Sequence, residues 1–183
     1  MKTRILKLTA ILGVLAVASA CSATRTQESA GEVIDDSVLT SKVKIALIDD
    51  SITKAGQINV ETYRGVVQLG GFVDNTQQKE QATKVARSIT GVKEVRNDLR
   101  VSTKPDATAG QDVDDSMLTA KVKAKLTEDS TTKAYQINVG TQKGVVQLTG
   151  FVDSTTMKAR AGEVARSVDG VKDVRNDLEI RQK

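Results

Sequence analysis

The chain is written twice. Residues Asp35–Val101 align with Asp114–Ile180 at a constant offset of 79, without a gap, and about 43 of the 67 positions are identical. Gln57-Ile58-Asn59-Val60 recurs as Gln136-Ile137-Asn138-Val139, Gly71-Phe72-Val73-Asp74 as Gly150-Phe151-Val152-Asp153, and Val95-Arg96-Asn97-Asp98-Leu99 as Val174-Arg175-Asn176-Asp177-Leu178. Similarity of this density requires both copies to adopt one fold, so a single 67-residue pattern has to account for most of the molecule. A unit of that size buries a small core and is marginal alone, so docking of the two copies would stabilise both. Residues 102–113, which hold the only proline, Pro105, separate the copies as a linker.

Within each copy the hydrophobic period changes in a fixed order. Leu39, Val43, Ala46 and Leu47 share a helical face behind Asp35-Asp36-Ser37, whose side chains suit a helix start. Leu118, Val122 and Leu126 repeat that face. Ile58, Val60 and Thr62 then alternate, Arg64-Gly65 makes a turn, and Val67, Leu69, Gly71 and Val73 alternate again, as in a β-hairpin. Lys143-Gly144 is the second turn. Asn75 and Gln78 have capping-box spacing ahead of Ala82, Val85, Ala86 and Ile89, a second amphipathic helix that Gly91 is placed to end. Ala161, Val164, Ala165, Val168 and Gly170 match it, and Val95, Asn97, Leu99 and Val101 alternate as a last strand. The expected class is α+β: two tandem α-β-β-α-β domains, each a small sheet with two helices on one face, because each helix has a single apolar side. Asn97 and Asn176 fall on otherwise apolar strand faces, where each amide should bond nearby backbone. With aromatics at 2% of the chain, the core must be Val, Ile, Leu and Ala.

The first 34 residues read differently. Lys2, Arg4 and Lys7 precede the apolar run Leu8–Ala18, too short to span a bilayer but right for a signal peptide over residues 1–20. Ala18-Ser19-Ala20 leads directly into Cys21, the only cysteine, in the manner of a lipobox whose Cys is acylated and becomes the mature N-terminus. Ala18 stands where Leu is usual, and Ala18-x-Ala20 also suits ordinary signal peptidase, which would leave a soluble periplasmic protein. Ser22 after the Cys resembles the sorting pattern for the outer membrane, so the expected location is that membrane, lipid-anchored and facing the periplasm. Residues 21–34 then serve as anchor and flexible tether.

Removal of the three leader cations changes the electrostatic picture. The net charge of +4 falls to about +1, with 24 basic against 23 acidic residues, so no nucleic-acid footprint remains. There is no His, which deprives the chain of the commonest general base and metal ligand. No Ser-Lys, Thr or carboxylate constellation marks a catalytic site, and no cofactor is expected. Asp35-Asp36, Asp49-Asp50, Asp114-Asp115 and Glu128-Asp129 lack the alternating spacing of a calcium loop and read as capping and loop residues.

The combined pattern resembles the BON domain of bacterial envelope proteins. The residues that carry the likeness are Asp36-Ser37-x-Leu39-Thr40, Gly65-Val66-Val67-x-Leu69-x-Gly71 and Gly91-Val92-x-x-Val95-x-Asn97-x-Leu99, all repeated 79 residues on. The resemblance implies envelope localisation, binding of phospholipid and support of membrane integrity under osmotic stress. It also implies that some relatives act as helpers for exported outer-membrane proteins. It brings no common catalytic residues. Anionic phospholipid is therefore the expected partner, with other envelope proteins second. Lys121, Lys123 and Lys125 beside Met117, a cluster that copy one only half matches with Lys42 and Lys44, are the candidate lipid contacts. Lys79, Lys84 and Arg87, or Lys158, Arg160 and Arg166, offer a second basic face.

Overall fold

A computed structural model describes residues 30–53, 57–102, 109–132 and 136–181. The expected signal peptide, Cys21 and residues 22–29 of the tether lie outside them. In chain order the first copy contains α1 (Ala30–Asp49), β1 (Ile58–Tyr63), β2 (Val66–Val73), α2 (Thr76–Ser88), β3 (Glu94–Asn97) and β4 (Arg100–Val101). The second contains α3 (Ala109–Glu128), β5 (Ile137–Gln142), β6 (Val145–Val152), α4 (Thr155–Arg166), β7 (Asp173–Asn176) and β8 (Glu179–Ile180).

In each copy the central strand is the second of the hairpin. β1 pairs antiparallel with β2 from Ile58↔Gly71 to Tyr63↔Val66, and β3 pairs parallel with the other edge of β2, Val67 opposite Val95. β5, β6 and β7 repeat this arrangement. Both helices pack on one face of the sheet, as their single apolar sides require. Val43 and Leu47 of α1 and Ala82 and Ala86 of α2 enclose Val60, Val67, Leu69 and Val95 in one core without an aromatic ring. An equivalent core joins α3 and α4 to Val139, Val146, Leu148 and Val174.

Three local features differ from the sequence pattern. α1 and α3 begin at Ala30 and Ala109, five residues ahead of the aspartate pairs, so part of the expected tether and linker is helical. No proline or run of turn residues interrupts either segment. The last strand is interrupted after Asn97, where the Leu99 N–H turns to Asn97 Oδ1 at 3.0 Å, and resumes as β4 beside Phe72 and Val73. The third difference is the largest. β2 and β6 are buried on both faces apart from their first residues, because the two sheets pack against each other on the sides away from the helices. The molecule is four-layered: helices, sheet, sheet, helices.

The sheet–sheet contact is polar at its centre and reciprocal. Gln68 Nε2 donates to Asp98 Oδ2 in its own copy and to the Asp177 carbonyl of the other, both at 2.7 Å. Gln147 Nε2 donates to Asp177 Oδ2 and to the Asp98 carbonyl, both at 2.8 Å. Each amide oxygen accepts a glycine N–H across the interface, Gly150 on Gln68 at 2.8 Å and Gly71 on Gln147 at 2.9 Å. The exchange of equivalent partners defines an approximate two-fold axis between the copies. Both glutamines are almost wholly buried, and with every amide group bonded their burial carries no unsatisfied polar atom.

The asparagine expectation holds. Asn97 Nδ2 donates to the Lys79 carbonyl at 2.7 Å and to Thr83 Oγ1, and Asn176 Nδ2 donates to the Lys158 carbonyl at 2.6 Å. Each amide ties the last strand to the first turn of the second helix.

Candidate functional site

Arg64 and Gly65 both have positive φ, 51° and 81°, as do Lys143 and Gly144 at 53° and 78°. That pair of conformations makes the tight hairpin turn that matches strand twist, and it is unfavourable for a residue with a Cβ. The aspartate of the preceding helix compensates. Asp36 accepts the Arg64 N–H at 2.5 Å and the Gly65 N–H at 2.9 Å, one on each carboxylate oxygen. Asp115 holds Lys143 and Gly144 in the same way, at 2.5 and 2.8 Å. Asp36 and Asp115 are therefore turn clamps placed inside a helix, not helix caps.

The loop after the second helix closes against the same turn. The Lys93 N–H donates to the Gly65 carbonyl at 2.8 Å, and that of Lys172 to Gly144 at 2.9 Å. The stem of each lysine lies across the turn glycine: a Cβ added to Gly65 or Gly144 would stand 3.0 Å from lysine Cγ and Cδ. Helix, turn and loop thus border a cleft in each copy, about 300 Å³ in the first and about 440 Å³ in the second.

In the second cleft Lys121 comes from α3, Lys143 from the turn and Lys172 from the loop, with Met117 at the edge and 54% exposed. Leu118 and Gly170 line the interior, while Asp114, Asp115 and Asp169 lie on the same walls. The first cleft carries Lys42, Arg64 and Lys93, with Val38 in place of Met117 and Thr90 in place of Asp169. Asp115 spends its oxygens on two N–H groups but keeps its charge, so the second cleft sets three cations beside three carboxylates and the first sets three beside two, each around an opening with an apolar edge.

Of the residues singled out from the sequence, Met117 and Lys121 meet in this cleft. Lys125 is one turn further along α3 and pairs with Glu128 at 3.6 Å, both largely exposed. Lys123 is two residues from each of the others, about 200° around the helix, on a different side. The structure groups Lys121 with Lys143 and Lys172 instead. Those two were missed because helical periodicity says nothing about which turn lies beside a helix. The signal for Lys172 was a lysine two residues after Gly91 and again after Gly170, and that for Lys143 a basic residue directly before each turn glycine. In the second basic face, Arg160 is held by Asp129 at 2.8 Å and by Glu163 at 3.2 Å.

The remaining acidic residues hold loops. Asp50 Oδ1 accepts the N–H groups of Ile52 and Thr53, and its other oxygen accepts Gln81 Nε2 at 2.8 Å. Asp129 accepts the Thr131 and Thr132 N–H groups alongside Arg160. The Gln81 hydrogen bond holds the Asp50 carboxyl below its ordinary value, and the Arg160 hydrogen bond does the same for Asp129. Among the described residues no group of three or more Asp, Glu, Cys or His is placed to hold a metal ion.

Comparison with known proteins places this architecture. The chain is 41% identical over 151 residues to osmotically-inducible protein Y of Escherichia coli, covering 82% of this chain and 75% of that protein. It is 39% identical over 145 residues to the outer membrane lipoprotein DolP of Haemophilus influenzae, covering 79% and 74%. A 21 kDa hemolysin of Actinobacillus pleuropneumoniae is 37% identical over 147 residues, covering 80% and 74%. Among solved structures, the C-terminal domain of CdsD, a structural protein of the type III secretion system of Chlamydia trachomatis, overlaps with a TM-score of 0.34 at 12% identity, covering 79% of this chain and 98% of that one. The BON domain pattern itself matches residues 35–103 and 114–182. The chain belongs to the BON-domain family, as a tandem pair of BON domains.

Proposed function

We propose that this non-enzymatic protein is exported to the outer membrane, anchored there through Cys21, and binds anionic phospholipid headgroups in the cleft of its second BON domain, supporting the membrane under osmotic or envelope stress. The observation that carries the reading is the convergence of Lys121, Lys143 and Lys172 from three separate elements beside the exposed Met117. Near an anionic leaflet each lysine contributes about 1 kcal/mol, and an exposed thioether edge suits the boundary between headgroup and acyl chain. The names of the relatives, an outer membrane lipoprotein and an osmotically-inducible protein, support the location and the stress setting. Among the described residues no helix is long and apolar enough to cross a membrane, so attachment in this reading runs through the lipidated cysteine and the cleft.

Vesicle flotation of the chain beginning at Ser22 tests the cleft without an acyl chain. Binding to phosphatidylglycerol vesicles, weakened by salt and absent with phosphatidylcholine, is expected. Changing Lys121, Lys143 and Lys172 together to Gln reduces it at least tenfold, whereas Lys123→Gln leaves it within about twofold. Absence of binding under every condition overturns direct lipid recognition.

A second reading, a helper for exported outer-membrane proteins, is favoured by one feature of the first copy. Val38, Ile45 and Ile48 lie along the outer side of α1 and are 46%, 59% and 65% exposed. Contiguous exposed apolar residues on a helix suit capture of an apolar segment. In that case Ile45→Gln with Ile48→Gln abolishes protection of an unfolded outer-membrane protein from aggregation, and the three cleft substitutions leave it intact.

A further inference from the structure

The two sheet faces that meet at the approximate two-fold axis share their glutamines and aspartates and differ at the axis itself and at their margins. Gln68 and Gln147, and Asp98 and Asp177, are identical pairs. Position 70 is Gly and its equivalent 149 is Thr. They face each other, and a Cβ at Gly70 would stand 2.5 Å from Thr149 Oγ1 and 2.6 Å from its Cγ2. The axis has room for one side chain and no more. Gly70 has no positive φ, so its backbone accepts any residue and only the opposing threonine excludes one.

Position 100 is Arg and its equivalent 179 is Glu. Arg100 reaches Asp177 at 3.4 Å and Glu179 accepts from Arg96 at 2.9 Å, each ion pair crossing from one copy to the other. Position 63 is Tyr and its equivalent is Gln142. Tyr63 lies against Phe151 with centroids 5.5 Å apart and under the Arg181 guanidinium at 5.3 Å. Gln142 donates to Ser102 Oγ at 2.6 Å. Arg100 and Glu179 each choose between an Asp and an Arg that both faces carry, so the differences that depend on the opposite face are those at the axis and at position 63.

Pairing of like with like fails at the same places. Two first-copy faces would leave a void at the axis and set Tyr63 against the equivalent Ser102 in place of the Arg181 guanidinium. Two second-copy faces would set threonine on threonine at the axis. We infer that the sheet faces form a heterotypic recognition pair, in which each BON domain takes a face of the other kind in preference to its own. The partner that fits either face is the complementary BON copy, here the other half of the same chain. Positions 70/149 and 63/142 encode the choice, by the mixed attraction and exclusion that specificity requires. Pairing within one chain then covers both faces and leaves neither open to a like face on a second chain. The inference is independent of lipid binding.

The test is a thermal-denaturation cycle in the full chain. Gly70→Thr makes the first face like the second at the axis, and Thr149→Gly makes the second like the first. Both together restore complementarity with the identities exchanged. The first substitution is expected to lower Tm by about 5–10 °C, the second by a few degrees, and the double exchange to return within about 3 °C of the parent. A double variant at or below the sum of the two losses overturns the inference. If Gly70→Thr does not fold at all, the double variant still decides: folded supports the code, unfolded overturns it.

Discussion

Lys143 is where folding and the proposed binding compete for one side chain. Its φ of 53° is a conformation that asparagine or glycine adopts more readily than lysine. Lys143→Asn is therefore expected to raise stability by about 0.5–1 kcal/mol while weakening binding to anionic vesicles, since one of the three cleft cations is gone. Urea denaturation and flotation of the same preparation measure both. A variant that gains stability and keeps full binding removes Lys143 from the site. Asp115 predicts the opposite: Asp115→Ala strips two turn N–H groups of their acceptor and costs about 1–3 kcal/mol in urea denaturation. The sequence showed Asp115 as a helix-start residue because local rules weigh an aspartate against its own helix. Its partners are 28 and 29 residues away, where no local rule reaches.

At the scale of elements, the helices, the hairpin and the half-buried asparagines were legible because each is specified by a local period or by a polar residue on an apolar face. The helix starts and the break in the last strand were not. The break depends on Asn97 capturing the Leu99 N–H, which period-two alternation does not register. The acidic residues after α1 and α3 were read correctly as loop residues, and their environment adds a pH dependence. Asp50 and Asp129 titrate below their unfolded value near 3.8, so their contribution is complete above that value and is lost as pH falls through the lower, folded one. Unfolding midpoints in urea should be flat from pH 7 to about 5 and fall below about 4. Asp50→Asn with Asp129→Asn should lower the neutral midpoint and flatten the acid decline. An acid decline of undiminished steepness in that double variant assigns it to other carboxylates.

At the scale of the molecule, docking of the copies was the feature the sequence concealed. Gln68 and Gln147 alternate with Val and Leu along their strands, and a glutamine there is indistinguishable from one that faces water. Only the second sheet turns that polar face into a buried one. The length of the repeat gave a reason for docking, since a small aliphatic core is marginal alone, but not the surface. The buried amide network now makes the two domains dependent on each other. The parent chain is expected to unfold in one transition, because separating the sheets exposes two glutamines, two aspartates and two glycine N–H groups at once. Gln68→Leu leaves the Asp98 carboxylate, the Asp177 carbonyl and the Gly150 N–H without their amide partner, a loss of about 3 kcal/mol or more. Adding Gln147→Leu costs less than a second such loss, because the groups it strands face an interface the first change has already loosened. Urea unfolding followed by far-UV circular dichroism should therefore change from one transition to two in the double variant, one for each BON domain. A single transition with additive losses would mean that the aliphatic margins of the sheets, and not the glutamine network, hold the domains together.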